Sequence, residues 1–200
     1  MKKAITIFLT IFLSVTLFTP TVFAQQVSTV IKEVEIPPFL PPDERAVSTP
    51  TFDPQLGTLL GADYGIWTSI QGQLCGENTS PAHFLVSVVV GLPYIISLSG
   101  VGEIANDELT TSHTFDLSSF DNTLDYAGPS GACYPFLVTK GVIWTPIPSS
   151  ALRNVALGIA NFNMAADFGT CDASGPPNVS EFCQTSPFAT FFIRYRFAPN

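Results

Sequence analysis

Oxygen-bearing side chains crowd into one stretch of this chain. Asp116, Asp121, Asn122 and Asp125 follow closely on one another, and Ser130 ends the same glycine-containing segment. Calcium takes clustered carboxylate and carbonyl oxygens from such loops. The spacing is not that of an EF-hand, because no acid closes the loop at the required position. Asp and Asn also cap turns through their own side chains. Turn-forming is the expectation for these four, with calcium the one cofactor they would admit.

Catalysis finds fewer footholds. There are two histidines, His83 and His113. His83 precedes an apolar run beside Pro81-Ala82, and His113 sits within Thr110–Thr114, so both read as strand or loop residues rather than bases. Gly128-Pro129-Ser130-Gly131 lacks the spacing of a nucleophile elbow. No zinc-protease motif, phosphate loop or dinucleotide fingerprint is present. A pair of acids at glycosidase separation is compatible with any acidic chain. No catalytic residue is assigned, and the expectation is a protein that is not an enzyme. Trp67 and Trp144 are expected in the core; were they exposed, they would form a sugar-stacking platform. Asn78-Thr79-Ser80 and Asn178-Val179-Ser180 match the N-glycosylation pattern and mark exposed loops.

The four cysteines, Cys75, Cys133, Cys171 and Cys183, lack C-x-x-C spacing and have no histidine beside them. This disfavours zinc. An even number in an exported chain reads as two disulfides, with three pairings open. Cys171 and Cys183 bracket a Gly-, Pro- and Ser-rich segment, so a local bond there is plausible, and Cys75 would then meet Cys133.

Export is expected from the first residues. Lys2-Lys3, an uncharged apolar run from Ala4 to Phe18 and a small Ala24 before Gln25 form the three parts of a secretory signal over residues 1–24. The apolar run is short for a bilayer span of about 20 residues. The expectation is a secreted, extracellular or cell-surface protein with no membrane span after cleavage. The 200-residue chain carries a formal charge of −8, and losing Lys2 and Lys3 gives −8 − 2 = −10. Such a chain is repelled by phosphate backbones, which disfavours nucleic acid. Arg194 and Arg196 read as a solvated strand face.

Charged residues are only 12% and there are 17 Phe, a composition that favours sheet. Residues 25–50 read as an N-terminal strand, Val27–Ile36, followed by a stiff proline linker, 37–42, and an exposed loop, 43–53. The strand is expected to join the sheet of the domain formed by 51–200. Tyr64, Ile66, Thr68, Ile70 and Leu74 alternate with Gly65, Trp67, Ser69, Gln71 and Gln73. Further strands are expected over His83–Val90, interrupted by Gly91-Leu92-Pro93 and resuming over Tyr94–Leu98. Others cover Leu109–Leu117 and Tyr134–Trp144, one starts with Val155, Leu157 and Ile159, and the last is Phe188–Phe197. Ser149–Leu152 opens a single helical turn, while 118–131 and 169–184 are loops. No segment outside the signal has sustained helical periodicity. The fold class is all-β: an antiparallel β-sandwich, immunoglobulin-like or jelly-roll-like, with disulfide-stapled loops.

Three stretches resemble the choice-of-anchor E domain family. They are Thr51-Phe52-Asp53-Pro54-Gln55-Leu56-Gly57-Thr58-Leu59, Glu77-Asn78-Thr79-Ser80-Pro81-Ala82 and Phe120-Asp121-Asn122-Thr123-Leu124-Asp125-Tyr126-Ala127-Gly128-Pro129-Ser130-Gly131. The resemblance spans about Val27 to Phe197. It implies a bacterial surface or secreted β domain without an established activity or site. The chain departs from it in lacking a C-terminal anchor and in carrying four cysteines. Two functions are therefore expected as alternatives. One is a non-catalytic envelope or matrix module, self-associating or held by an envelope partner, with Val27–Ile36 available for donation to a neighbouring sheet. The other is a calcium-dependent, glycan-binding or glycan-processing module.

Overall fold

The computed structural model describes residues 26–141, 143–175 and 178–200. The expected signal segment, Val142 and the Pro176-Pro177 pair lie outside the described residues. Ten strands run in chain order as β1 (Ser28–Ile36), β2 (Asp43–Ser48), β3 (Gly57–Asn78), β4 (Phe84–Leu98), β5 (Gly102–Leu117), β6 (Gly131–Lys140), β7 (Thr145–Pro146), β8 (Asn161–Ala166), β9 (Thr170–Ser174) and β10 (Val179–Pro199). An α-helix, α1 (Ser149–Ala156), precedes β8. The strands form two antiparallel sheets. The first has the order β1-β10-β3-β6, with β7 on the same edge of β3 as β6; the second is β2-β8-β4-β5, with β9 beside β4. This is the all-β sandwich that the alternation predicts, and β1 pairs along its whole length with β10 of its own chain.

Several expected boundaries are corrected. The segment 43–53, expected as loop, contains β2, which pairs with β8. Its Asp-Glu-Arg stretch looks like loop because an edge strand with one wet face needs few apolar residues. The chain does not break at Gly91-Leu92-Pro93: β4 runs through it with Leu92 fully buried. On the side away from β5, β9 pairs with Ser87–Gly91 and β8 with Tyr94–Leu98. Pro93 falls in the gap between them, where no ladder requires its missing N–H. Val155 lies in α1, and the strand expected from it starts later, at Asn161. The expected loop 169–184 contains β9 and the start of β10. The strand expected to reach Trp144 ends at Lys140.

The disulfides pair Cys75 with Cys133 and Cys171 with Cys183. The first joins directly opposed residues of β3 and β6. The second ties β9 of one sheet to β10 of the other. At the β5–β6 edge Lys140 and Asp107 form a second link between the sheets, and the ammonium holds the Asp107 carboxyl below the ordinary carboxylate range.

Between the sheets the core is aromatic. Phe162 of β8 stacks on Phe191 of β10, centroids 4.2 Å apart and planes within 11°, with neither ring exposed. Tyr195, equally buried, donates its hydroxyl to Pro50 O at 2.5 Å and lies 3.2 Å from Val155 O. It thereby fastens the β2–β3 connection and α1 to β10. Burial pushes its phenol from 10.0 up to about 12. The unfolded phenol ionises first, so this stability is complete below about pH 10 and is lost as pH rises toward 12. Tyr195→Phe is expected to cost about 1 kcal/mol at neutral pH through the lost hydrogen bonding. It should also flatten the alkaline decline between those pH values, as measured by urea unfolding across the range.

Candidate functional site

Strand alternation sends two sets of β3 side chains to opposite faces. Tyr64, Thr68, Ile70 and Leu74 are buried against the second sheet, whereas Trp67 is 49% exposed on the outer face. Phe192 reaches the same face from β10, where its register partner is Gly65, which has no side chain to crowd the ring. Trp67 and Phe192 meet edge to face, centroids 5.6 Å apart and planes at 81°. Trp144, on the segment leading into β7, lies 6.4 Å from Phe192 at 66°. With Ile31 of β1 these three rings enclose an open hollow of about 420 Å³. The expectation that both tryptophans are core residues is thus corrected, because β3 has solvent rather than a second layer on that side.

A buried acid organises the polar rim of the hollow. Asp63 is 5% exposed and sits directly opposite Arg194 in the ladder. Arg194 Nε donates to Asp63 Oδ2 at 3.1 Å, and Arg196 Nη2 donates to Oδ1 at 3.4 Å. The Arg194 guanidinium also lies 4.6 Å over the Trp144 ring, within cation–π range. Two cations therefore share one anion beside the rings, so the arginine pair is braced rather than freely solvated. Fixed aromatic faces with bidentate polar groups at their rim suit a ligand that is apolar on its flat sides and hydroxylated at its edges.

The residues considered for calcium are not brought together. Asp116 lies at the end of β5 and pairs with His83. Asp121 Oδ1 accepts from Thr123 N at 3.0 Å and Asp125 Oδ1 from Ala127 N at 2.9 Å. Asn122 takes a left-handed φ of 73°. These are turn-forming geometries. Among the described residues no group of three or more His, Cys, Asp or Glu is arranged to hold a metal ion. His113 stacks on Tyr134, centroids 3.9 Å apart.

What the 118–130 loop does is fold over the end of the first sheet. Glu77 is fully buried there, with Oε2 accepting from Tyr126 N at 2.8 Å. Asn78, expected in an exposed loop, is instead buried at the end of β3, where it donates to Ala82 O and Ser118 O at 2.7 Å each and its backbone N–H reaches Ser130 O. The Tyr126 hydroxyl pairs with Ser180 Oγ. A Cβ at position 131 would stand 2.1 Å from Glu77 Oε2, so this close approach requires Gly131. Glu77 gave no sign of this role in the sequence, where it reads as one more residue of a polar turn. The Glu77–Ala82 and Phe120–Gly131 stretches are thus one hydrogen-bonded knot. Phe52, of the Thr51–Leu59 stretch, packs on Tyr195 and Phe197, at 5.5 and 5.7 Å. All three stretches hold connecting segments against the sheets.

Comparison with protein-family models, with curated proteins and with solved structures found nothing that matches this chain.

Proposed function

We propose that this protein is an exported, non-catalytic recognition module that binds carbohydrate on the outer face of its first sheet. The observation that carries this reading is the Trp67–Phe192–Trp144 cluster, with Trp67 exposed and the other two rings half-buried, beside its Asp63-braced arginine. Three rings gathered on the outer face of a sheet, one exposed and two half-buried, support a binding surface. Export is supported by the signal-like residues 1–24 and by two disulfides, which persist in oxidising compartments. No helix among the described residues is long and apolar enough to cross a membrane. The choice-of-anchor E resemblance supports the same surface setting. A non-catalytic role is supported by the two histidines, one paired with Asp116 and one stacked on Tyr134.

The test is Trp67→Ala in affinity electrophoresis through gels containing soluble neutral polysaccharides. Retardation of the parent chain should fall about thirtyfold in apparent affinity, the loss of about 2 kcal/mol typical of an interface anchor. The exposed position predicts an unchanged fold by circular dichroism. Retardation that survives the substitution would place the binding site elsewhere.

A further inference from the structure

The aromatic cluster is one end of a longer surface. Along β10 the outward positions continue from Phe192 through Thr190, Phe188, Ser186 and Gln184 to Phe182, which is 47% exposed. Beside them on β3 stand Gln71 and Gln73, and Leu137 of β6 is 64% exposed next to Gln71. None of these outward positions carries a charge, in a chain whose net charge is −8. The charges of this face stand toward its Trp67–Phe192 end, in the Asp63–Arg194–Arg196 group and, on β1, in Glu33 beside Phe192 and Glu35 beside Thr190. From Phe192 to Phe182 the strand rises about 33 Å at strand spacing. The Tyr126 ring, 6.1 Å from Phe182, closes the far end.

Resting on the carbohydrate reading, we propose that the ligand is an extended, uncharged polysaccharide lying along β10 and β3, from the Trp67–Phe192 pair to Phe182. A ring at each end stacks on a sugar face. The amides of Gln71, Gln73 and Gln184 between them, each with a donor and an acceptor, meet sugar hydroxyls. The strip, uncharged along β10 and β3 and flanked on β1 by the acids Glu33 and Glu35, matches a neutral chain. It offers a nucleic acid or a uronic-acid polymer no counter-charge. The length of the strip demands several sugar rings for full occupancy.

The test measures affinity of the full, disulfide-intact chain for neutral linear glucan and xylan oligosaccharides from the disaccharide upward, by calorimetry. The parent should bind more tightly with each added ring until the strip is filled. The Gln71→Ala/Gln73→Ala/Gln184→Ala and Phe182→Ala variants should lose about tenfold on the longest ligands and nothing on the shortest. Affinity that is independent of length but lost in Trp67→Ala would overturn the extended site while leaving the carbohydrate reading intact. Failure to bind any neutral sugar would overturn both. Tighter binding of a uronic-acid polymer would overturn the neutral ligand. Dimerisation through this face, seen by light scattering and abolished in Trp67→Ala, would make a second copy of the chain its occupant and overturn the proposal.

Discussion

Phe191→Ala is expected to destabilise the protein by about 4 kcal/mol, within the range for deleting a fully buried phenylalanine. Phe191 has no exposed surface and stacks at 4.2 Å on Phe162, so it is a contact between the two sheets rather than within one. Removing it leaves a cavity at the centre of β10, where β1 and β3 on either side hold the backbone in register and limit collapse. Phe191→Leu, which refills most of the volume, should recover much of the loss. Guanidinium unfolding with unchanged m-value is the measurement. A cost below about 1 kcal/mol would mean that the two sheets do not pack through this pair.

The second large effect concerns the disulfides, and its content is an order. Cys75–Cys133 closes a span of 58 residues and Cys171–Cys183 one of 12. In the chain-entropy account the longer loop restricts the unfolded state more, giving about 4 kcal/mol against about 3. Cys75→Ala/Cys133→Ala should therefore destabilise more than Cys171→Ala/Cys183→Ala. The first pair joins strands already held by a ten-residue ladder, so its folded-state contacts survive the substitution. The second pair is also the covalent tie between the sheets. A reversed order in denaturant unfolding would show that this tie, and not the unfolded chain, sets the stabilisation.

The sequence made the buried faces legible where one side of a strand is wet and the other dry. Phe191, Ile193, Tyr195 and Phe197 form one face of β10, and Tyr64, Thr68, Ile70 and Leu74 one face of β3, as the alternation predicts. It failed where the edge of a sheet permits polarity. β2 and β9 read as loops because each pairs on one side only, and little of their surface is apolar. Pro93 read as a strand end because the gap between β8 and β9 that tolerates it is made by residues far along the chain. The candidate site was half legible. Alternation placed Trp67 opposite the core residues of β3, yet its apolarity argued for burial. Whether the outer face has a second layer depends on the whole topology. Asp63 and its two arginines are distant in sequence and meet only because β3 and β10 are neighbours in register. The loop above Glu77 shows the converse: Asp121 and Asp125, which suggest a metal site by spacing, accept from turn N–H groups, while the buried hydrogen bond belongs to Glu77, which suggests none.

The most direct test of the carbohydrate-binding face uses the protein's own chromophores. Its two tryptophans, Trp67 and Trp144, both stand at the proposed face, so no tryptophan elsewhere dilutes the signal. Titration with soluble neutral polysaccharide should shift the emission to the blue and saturate as the rings are covered. The shift should be lost in Trp67→Ala. Unchanged emission in the presence of a ligand shown by calorimetry to bind would place recognition away from these rings and contradict the account.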